Sequence, residues 1–394
     1  MKLVSMPISQ LATVQSGGGA PQDAAAFTRT GFPFVRAGSL SKLLDGAQED
    51  SLELIEPEVA AKYGLKLFPA GTVLFAKSGM SATKGYVYRL RKPAYVVNHL
   101  AALNPHEATD SAFLVHALQR FSPTVLIKDP AYPSIRLSDI ESMRIQAPTS
   151  PRDRERIAAI LDKADELRAK RRAALKKLDD LTQSIFLDMF GDPATNPKGW
   201  PITSLGDVIL GIRNGLNREQ RADGVGWPII RIETISDGTI NRTRVRWVDP
   251  DPALLAEFRL EVGDILFSHI NSISHIGKTA LYTGVPELLI HGINLLRVRP
   301  NREVVEPVWL LHLLKHDVVR TYFRTRCKPA VNQASLNQSD IKCLQIFLPP
   351  LSLQRKFVRT HQAVDALCEV QRAGLFAMEQ CFASLQHRAF RGEL

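Results

Sequence analysis

Cysteine is scarce. The 394 residues hold four, Cys327, Cys343, Cys368 and Cys381, and no two stand at a CxxC spacing. That pattern excludes a zinc ribbon and a disulfide framework and leaves free thiols. Long apolar runs are also missing: no stretch approaches twenty residues, which excludes a membrane-spanning helix. The opening MKLVSMPISQ has no apolar signal core, so a cytoplasmic chain is expected. Acidic excess is absent too. The net charge is +10, spread as +3, +2, +3 and +2 over residues 1–147, 148–199, 200–347 and 348–394, with no basic tail. A multi-domain chain with this balance suits a polyanionic partner.

An assembled catalytic constellation is lacking as well. Ser272-Ile273-Ser274-His275-Ile276-Gly277-Lys278-Thr279 imitates a phosphate-binding Walker loop, but Ser272 stands where the first glycine belongs. The following Ala280-Leu281-Tyr282 predicts a strand, whereas a P-loop opens a helix whose N-terminus holds the phosphates. Asp129-Pro130-Ala131-Tyr132 imitates the Asp-Pro-Pro-Tyr motif of adenine methyltransferases, without a glycine-rich cofactor fingerprint beside it. Aligned with Lys328-Pro329-Ala330-Val331, it reads as a loop. His316-Asp317 has no companion ligands for a metal. No nuclease carboxylate cluster or zinc site is evident, so the expectation is a chain without catalysis of its own.

What is present is a rod. Pro151–Phe190 predicts one amphipathic helix, capped by Ser150 with Pro151 in its first turn and stopped by Gly191. Ile157, Ala164, Leu178 and Ile185 form one heptad row, with Arg171 as its polar member; Ile160, Leu167, Ala174 and Leu181 are expected to form the adjacent row. At 1.5 Å per residue the helix is roughly 55–60 Å long, too long for a core helix. Residues 350–390 offer a matching partner. Their rows are Phe357, Val364, Met378 and Leu385, with Gln371 as the polar member, and His361, Cys368, Leu375 and Phe382. Gly374 weakens this helix locally. Two helices with one open seam each predict an antiparallel coiled-coil pair, in which the midpoint residues Arg171 and Gln371 would meet.

The second half repeats the first. Pro7–Leu11 returns as Pro201–Leu205, Pro33–Arg36 as Pro228–Arg231, Pro69–Phe75 as Glu261–Phe267, Ala112–His116 as Val308–His312, and Leu137–Ile140 as Gln338–Ile341. A period of about 195–201 residues is far beyond solenoid repeats. It means two copies of a globular module, each followed by a long helix. Thr72–Phe75, Tyr86–Leu90 and Tyr95–Val97, with Asp264–Phe267, Thr279–Tyr282 and Leu288–Ile290, predict strands; Ser111–Phe121 and Pro307–Thr321 predict helices. The expected class is α+β, two domains with small mixed sheets joined by the helix pair. The expected boundaries are 1–147, 148–190, 191–347 and 348–394.

Two loops per module suit DNA. Lys77-Ser78-Gly79-Met80-Ser81-Ala82-Thr83-Lys84-Gly85 follows one strand, and Ser268–Lys278 follows its counterpart. Both offer small residues for close approach, cations for phosphates, and hydroxyls or amides for base edges. The second loop pair is the turn before each domain's last strand, Ala131–Arg136 and Val331–Ser335. The candidate contacts are Lys77, Ser78, Lys84, Tyr132 and Arg136 in the first copy and His269, Asn271, Ser274, Lys278, Asn332 and Gln333 in the second. The repeated arginines Arg36 and Arg231 complete the set.

Two strand–proline–helix junctions, Gln146–Ile157 and Phe347–Val358, and the ending Ser384-Leu385-Gln386-His387-Arg388-Ala389-Phe390-Arg391-Gly392-Glu393-Leu394, together with the repeat, resemble the specificity subunit of Type I restriction–modification enzymes. The resemblance covers the whole chain. It implies a non-catalytic subunit with two target recognition domains, each reading one half of a split DNA site. It also implies helices that dock methyltransferase subunits, with a motor-nuclease subunit joining that complex. S-adenosylmethionine, ATP and magnesium would then bind partner subunits, and this chain would need no cofactor. The competing reading is a coiled-coil scaffold whose end domains bind proteins.

Overall fold

A computed structural model describes residues 1–235, 239–249, 251–330 and 333–394. The chain divides into two compact units, residues 1–173 with 372–394, and residues 174–371. Both long helices form, as Pro151–Phe190 and Leu351–Ala389. Ser150 caps the first: its Oγ accepts from the Asp153 amide at 3.4 Å and its carbonyl from the Arg154 amide at 3.2 Å. Gly191 ends it with φ +85°, a left-handed turn that a residue with a side chain resists.

In the first unit the helices run antiparallel. Arg172 pairs with Glu379 at 2.7 Å, and Arg168 lies 4.1 Å over the Phe382 ring, so numbers fall on one helix as they rise on the other. The buried rows of the second helix are those expected. On the first helix, the row through Ile157 and Ala164 is also right, but its neighbour is Leu161, Arg168, Leu175, Thr182 and Met189, one residue later than Ile160, Leu167, Ala174 and Leu181. Leu167 and Leu181 remain 43% and 44% exposed. Arg168 takes an apolar position by laying its stem and guanidinium on Phe382 while bonding Asp165 at 2.6 Å. Arg171 is accommodated by Gly374, about one turn beyond Gln371: a Cβ on Gly374 would collide with the guanidinium. The glycine therefore makes room for the seam's arginine.

The core of the first unit joins the sheet to both helices through Phe113, Ile157, Leu161, Phe382 and Phe390. Its main sheet has the order Ala12–Ser16, Leu100–Pro105, Val73–Ala76, Val87–Arg89, with antiparallel neighbours throughout. A smaller sheet contains the parallel pair Phe32–Val35 and Ala94–Val96. Strand Leu3–Pro7 pairs with Arg144–Pro148, which leads into the long helix.

The second unit repeats this order with Ile209–Asn214, Leu295–Pro300, Ile265–Ser268 and Thr279–Leu281. Its parallel pair is Trp227–Ile230 with Ile290–His291, and Ile202–Ser204 pairs with Gln345–Phe347 before the second helix. Phe186 and Phe190 pack on Phe357 at 5.5 and 5.6 Å. The expected helix Pro307–Thr321 is two helices, Pro307–Lys315 and Asp317–Arg326. His316 breaks them with an extended backbone (ψ 140°), and its carbonyl accepts from the Arg320 amide to begin the second. At the start of each module the repeat needs a shift of three. Ile8 donates to the Met143 carbonyl as Leu205 donates to Leu344, so Leu205 corresponds to Ile8 rather than to Leu11.

Each module anchors the start of its helix differently. Arg154 is buried and forks onto Asp110 at 2.5 and 3.0 Å, with its Nη1 donating to the Pro148 and Thr149 carbonyls at 3.0 Å each. The same turn of the second helix carries buried Gln354. Its amide donates to the Pro349 carbonyl at 2.8 Å and accepts from the Glu306 amide at 2.9 Å.

Candidate nucleic-acid interface

The two loops of each module form one ladder. In the first unit Lys77 extends the strand Val73–Ala76. Its amide donates to the His99 carbonyl at 2.9 Å, and its own carbonyl accepts from the Ile135 amide at 2.8 Å. Ser78 bridges Ser134, and the Gly79 amide donates to the Pro133 carbonyl at 2.9 Å. In the second unit the His269 carbonyl accepts from the Leu336 amide at 2.9 Å, Ile270 faces Ser335, and Asn271 faces Ala334. The register makes Tyr132 equivalent to Gln333. The sequence alignment of Asp129–Tyr132 with Lys328–Val331 was thus two residues out of step, and Val331 and Asn332 lie outside the described residues.

Gly85 and Gly277 close the two loops with φ +63° and +77°, a conformation open to glycine without a steric penalty. Between Gly79 and Gly85 the chain makes the short 3-10 turn Met80–Lys84. The Walker-like Ser272–Lys278 segment is a turn that feeds the strand Thr279–Leu281 and not a helix.

The ladder gathers most of the expected contacts. Lys84, Arg136 and Gln333 are exposed, Tyr132 is 82% exposed, and Lys77 is half-buried. Lys84 holds its ammonium 5.8 Å above the Tyr86 ring. Ser78 Oγ and His99 Nδ1 are hydrogen-bonded at 2.7 Å. Asn271 is tied down at both ends of its amide, donating to Ser268 Oγ at 3.1 Å and accepting from the Ser272 amide at 2.9 Å. Ser274 Oγ shares His275 Nδ1 with Ser272 at 2.9 and 2.8 Å. Lys278 is half-buried, and its carbonyl accepts from Ser268.

Three residues are placed otherwise than their residue type suggests. His269 is 8% exposed; burial pushes its imidazole pKa down, and its Nδ1 has no partner among the described residues. Arg36 and Arg231 follow strands of the smaller sheets and are engaged by carboxylates, Arg36 by Glu53 at 2.8 Å and Arg231 by Glu233. Each donates its backbone N–H to a hydroxyl three residues on, Ser39 or Thr234, so they are equivalent turn residues. The residues missed from sequence are Met80, which is 66% exposed, His99 and Ser134. Met80 and Ser134 lie in the two expected loops and are marked by the pairing of those loops; His99 lies outside both and is marked by its bond to Ser78.

A family model described as the Type I restriction modification DNA specificity domain matches twice, over residues 2–177 and 197–374. The chain belongs to the Type I restriction modification DNA specificity family. Among relatives of this family, the putative type I restriction enzyme MjaX specificity subunit of Methanocaldococcus jannaschii is 48% identical over 172 residues. That match covers 43% of this chain and 40% of the relative. The type I restriction enzyme EcoKI specificity subunit of Escherichia coli (strain K12) is 22% identical over 386 residues, covering 92% of this chain and 82% of the relative. The S subunit of a Type I restriction-modification system from M. genitalium shares the fold, with a TM-score of 0.61 at 15% identity over 99% of this chain and 96% of that one. A chain from a structure of complex assembly and conformational transition in the type I R-M system gives a TM-score of 0.55 at 18% identity, over 100% and 98%. The two matched segments of the specificity family coincide with the two modules found as an internal repeat.

Proposed function

We propose that this chain is the DNA-recognition subunit of a Type I restriction–modification enzyme, reading a two-part site with one ladder from each module and supplying no catalysis itself. The observation that carries the reading is the recurrence of the same two-loop ladder, with exposed and differing side chains, in two copies of a specificity domain. The DNA contacts would be Lys77, Ser78, Lys84, Tyr132 and Arg136 in one half, and Asn271, Ser274, Lys278, Asn332 and Gln333 in the other. Methyltransferase subunits would dock on the long helices, and a motor-nuclease subunit would join them. S-adenosylmethionine, ATP and magnesium would be held by those partners. Among the described residues no helix is long and apolar enough to cross a membrane; a cytoplasmic setting fits the proposed DNA target.

The test is binding to mixed duplex DNA over a salt series. Phosphate contacts by Lys and Arg release counterions, so log affinity should fall steeply and linearly with log salt. A flat dependence, with tight binding to a protein partner instead, would favour the scaffold.

A further inference from the structure

The ladder register singles out one position in each module. Beyond the Gly79–Pro133 bond, the next residues are Met80 on one side and Tyr132 on the other. At the same step beyond Asn271 and Ala334 the second unit has Ser272 and Gln333. The first pair is apolar and largely exposed, at 66% and 82%. The second is polar, and Gln333 is also exposed.

Two large apolar side chains held in water at a loop tip add nothing to a core. Basic Lys77, Lys84 and Arg136 lie on the same two loops, which suits a polyanion rather than an apolar protein groove. A duplex presents one apolar group on its major-groove edge, the C5-methyl of thymine, and Asn or Gln amides pair with the N6/N7 edge of adenine.

We infer that these two positions determine specificity. Met80 and Tyr132 receive a thymine methyl in one half-site, while Gln333, with Ser272 beside it, hydrogen-bonds an adenine in the other. This rests on the DNA-reading function proposed above and goes beyond it by assigning the chemistry each ladder reads. Tyr132 would act through its ring face and Met80 through its thioether, so neither needs a hydrogen-bond partner on the base.

The experiment is selection of random-sequence duplexes by the full chain, from one library made with thymine and one with uracil, which lacks only the methyl. The wild type should enrich two separated half-sites. At one position of one half it should prefer thymine over uracil by about fourfold, in keeping with the worth of burying one methyl group. Met80→Ser with Tyr132→Gln should abolish that preference and shift the position towards adenine, leaving the other half unchanged. Tyr132→Phe should retain the thymine preference, which separates ring contact from a general loss of fold. Four or more enriched positions with no thymine–uracil difference in the wild type would overturn the inference while leaving the DNA reader standing. So would a variant that weakens all sequences equally and keeps the wild-type site. Failure of the wild type to enrich any sequence would overturn the DNA-reading function itself.

Discussion

Arg154 and Gln354 hold one structural position with different charges. Arg154 is buried with its partner Asp110, and both fully engage each other. Asp110→Ala leaves the guanidinium buried against two carbonyls without its counter-charge, which should cost roughly 3–5 kcal/mol in chemical denaturation. Gln354→Ala removes neutral hydrogen bonds and should cost about 1–3 kcal/mol. Equal costs would mean that the charge of Arg154 is not isolated from solvent in the folded unit. Two buried histidines make the second unit acid-sensitive. His312 is enclosed by Phe186, Phe357 and His361 at 6.3, 5.2 and 4.7 Å; burial first, then the His361 and Lys315 charges, lower its pKa to about 3. His291, between the Phe258 and Arg213 carbonyls, is held at about 4, mainly by burial. Around His312 and His361 stand Lys315, also held down by burial, and Arg320, Asp179 and Asp365. An unfolded imidazole titrates near 6.5. Below that pH the unfolded chain takes up protons that the folded unit refuses, so stability is full above about pH 6.5 and drains down to pH 3–4. By pH 5 the loss should be roughly 2 kcal/mol per imidazole. Melting curves of His312→Phe should therefore lose less between about pH 7 and about pH 5 than the wild type; an identical slope contradicts the burial account.

At the level of elements, the long helices were legible because the heptad spacing runs through about forty residues in each, and the first helix begins and ends where Ser150 and Gly191 indicate. The error in one row was physical. Choosing the most apolar residues selected Leu167 and Leu181, but the true row places Arg168 and Thr182 inside, where an arginine stem and a back-bonded hydroxyl replace aliphatic groups. The second helix held the missing information: its row His361, Cys368, Leu375 and Phe382 lies 200 residues beyond Leu161, Arg168, Leu175 and Thr182. Leu161→Ala, at a fully buried position, should cost about 2–5 kcal/mol, whereas Leu167→Ala should cost no more than about 0.5 kcal/mol. Urea denaturation distinguishes the two, and the reverse order would restore the rejected row. Short elements were legible in kind but not in partner. The strands ending at Phe75 and Phe267 were evident from β-branched runs, yet the pairing of their loops with the turns at 131–136 and 333–336 is a long-range contact that local periodicity does not encode. That pairing corrected Tyr132's counterpart from Val331 to Gln333, and it brought Met80 and Ser134 into view.

For the whole molecule, the repeat in sequence, the matched topology of the two units and the two family matches describe one module used twice with divergent tips. The framework was readable because each copy checks the other: Phe113 and Trp309 lie in paired helices, and Gly85 and Gly277 close paired loops. The tips were not readable because their residue types suit solvent and DNA alike. His269, by type a contact residue, is buried, and Arg36 and Arg231 are held by carboxylates. The central claim is that the two modules read two half-sites independently. Its most direct measurement is sequencing of methylated bases in cells carrying the full chain and the methyltransferase proposed to dock on it, comparing the wild type with Ser272→Ala and Gln333→Ala together. The account predicts a two-part methylated motif in which only one half relaxes in the variant, while the other half stays as in the wild type. A motif that persists without this chain, or a variant that alters both halves together, would contradict it.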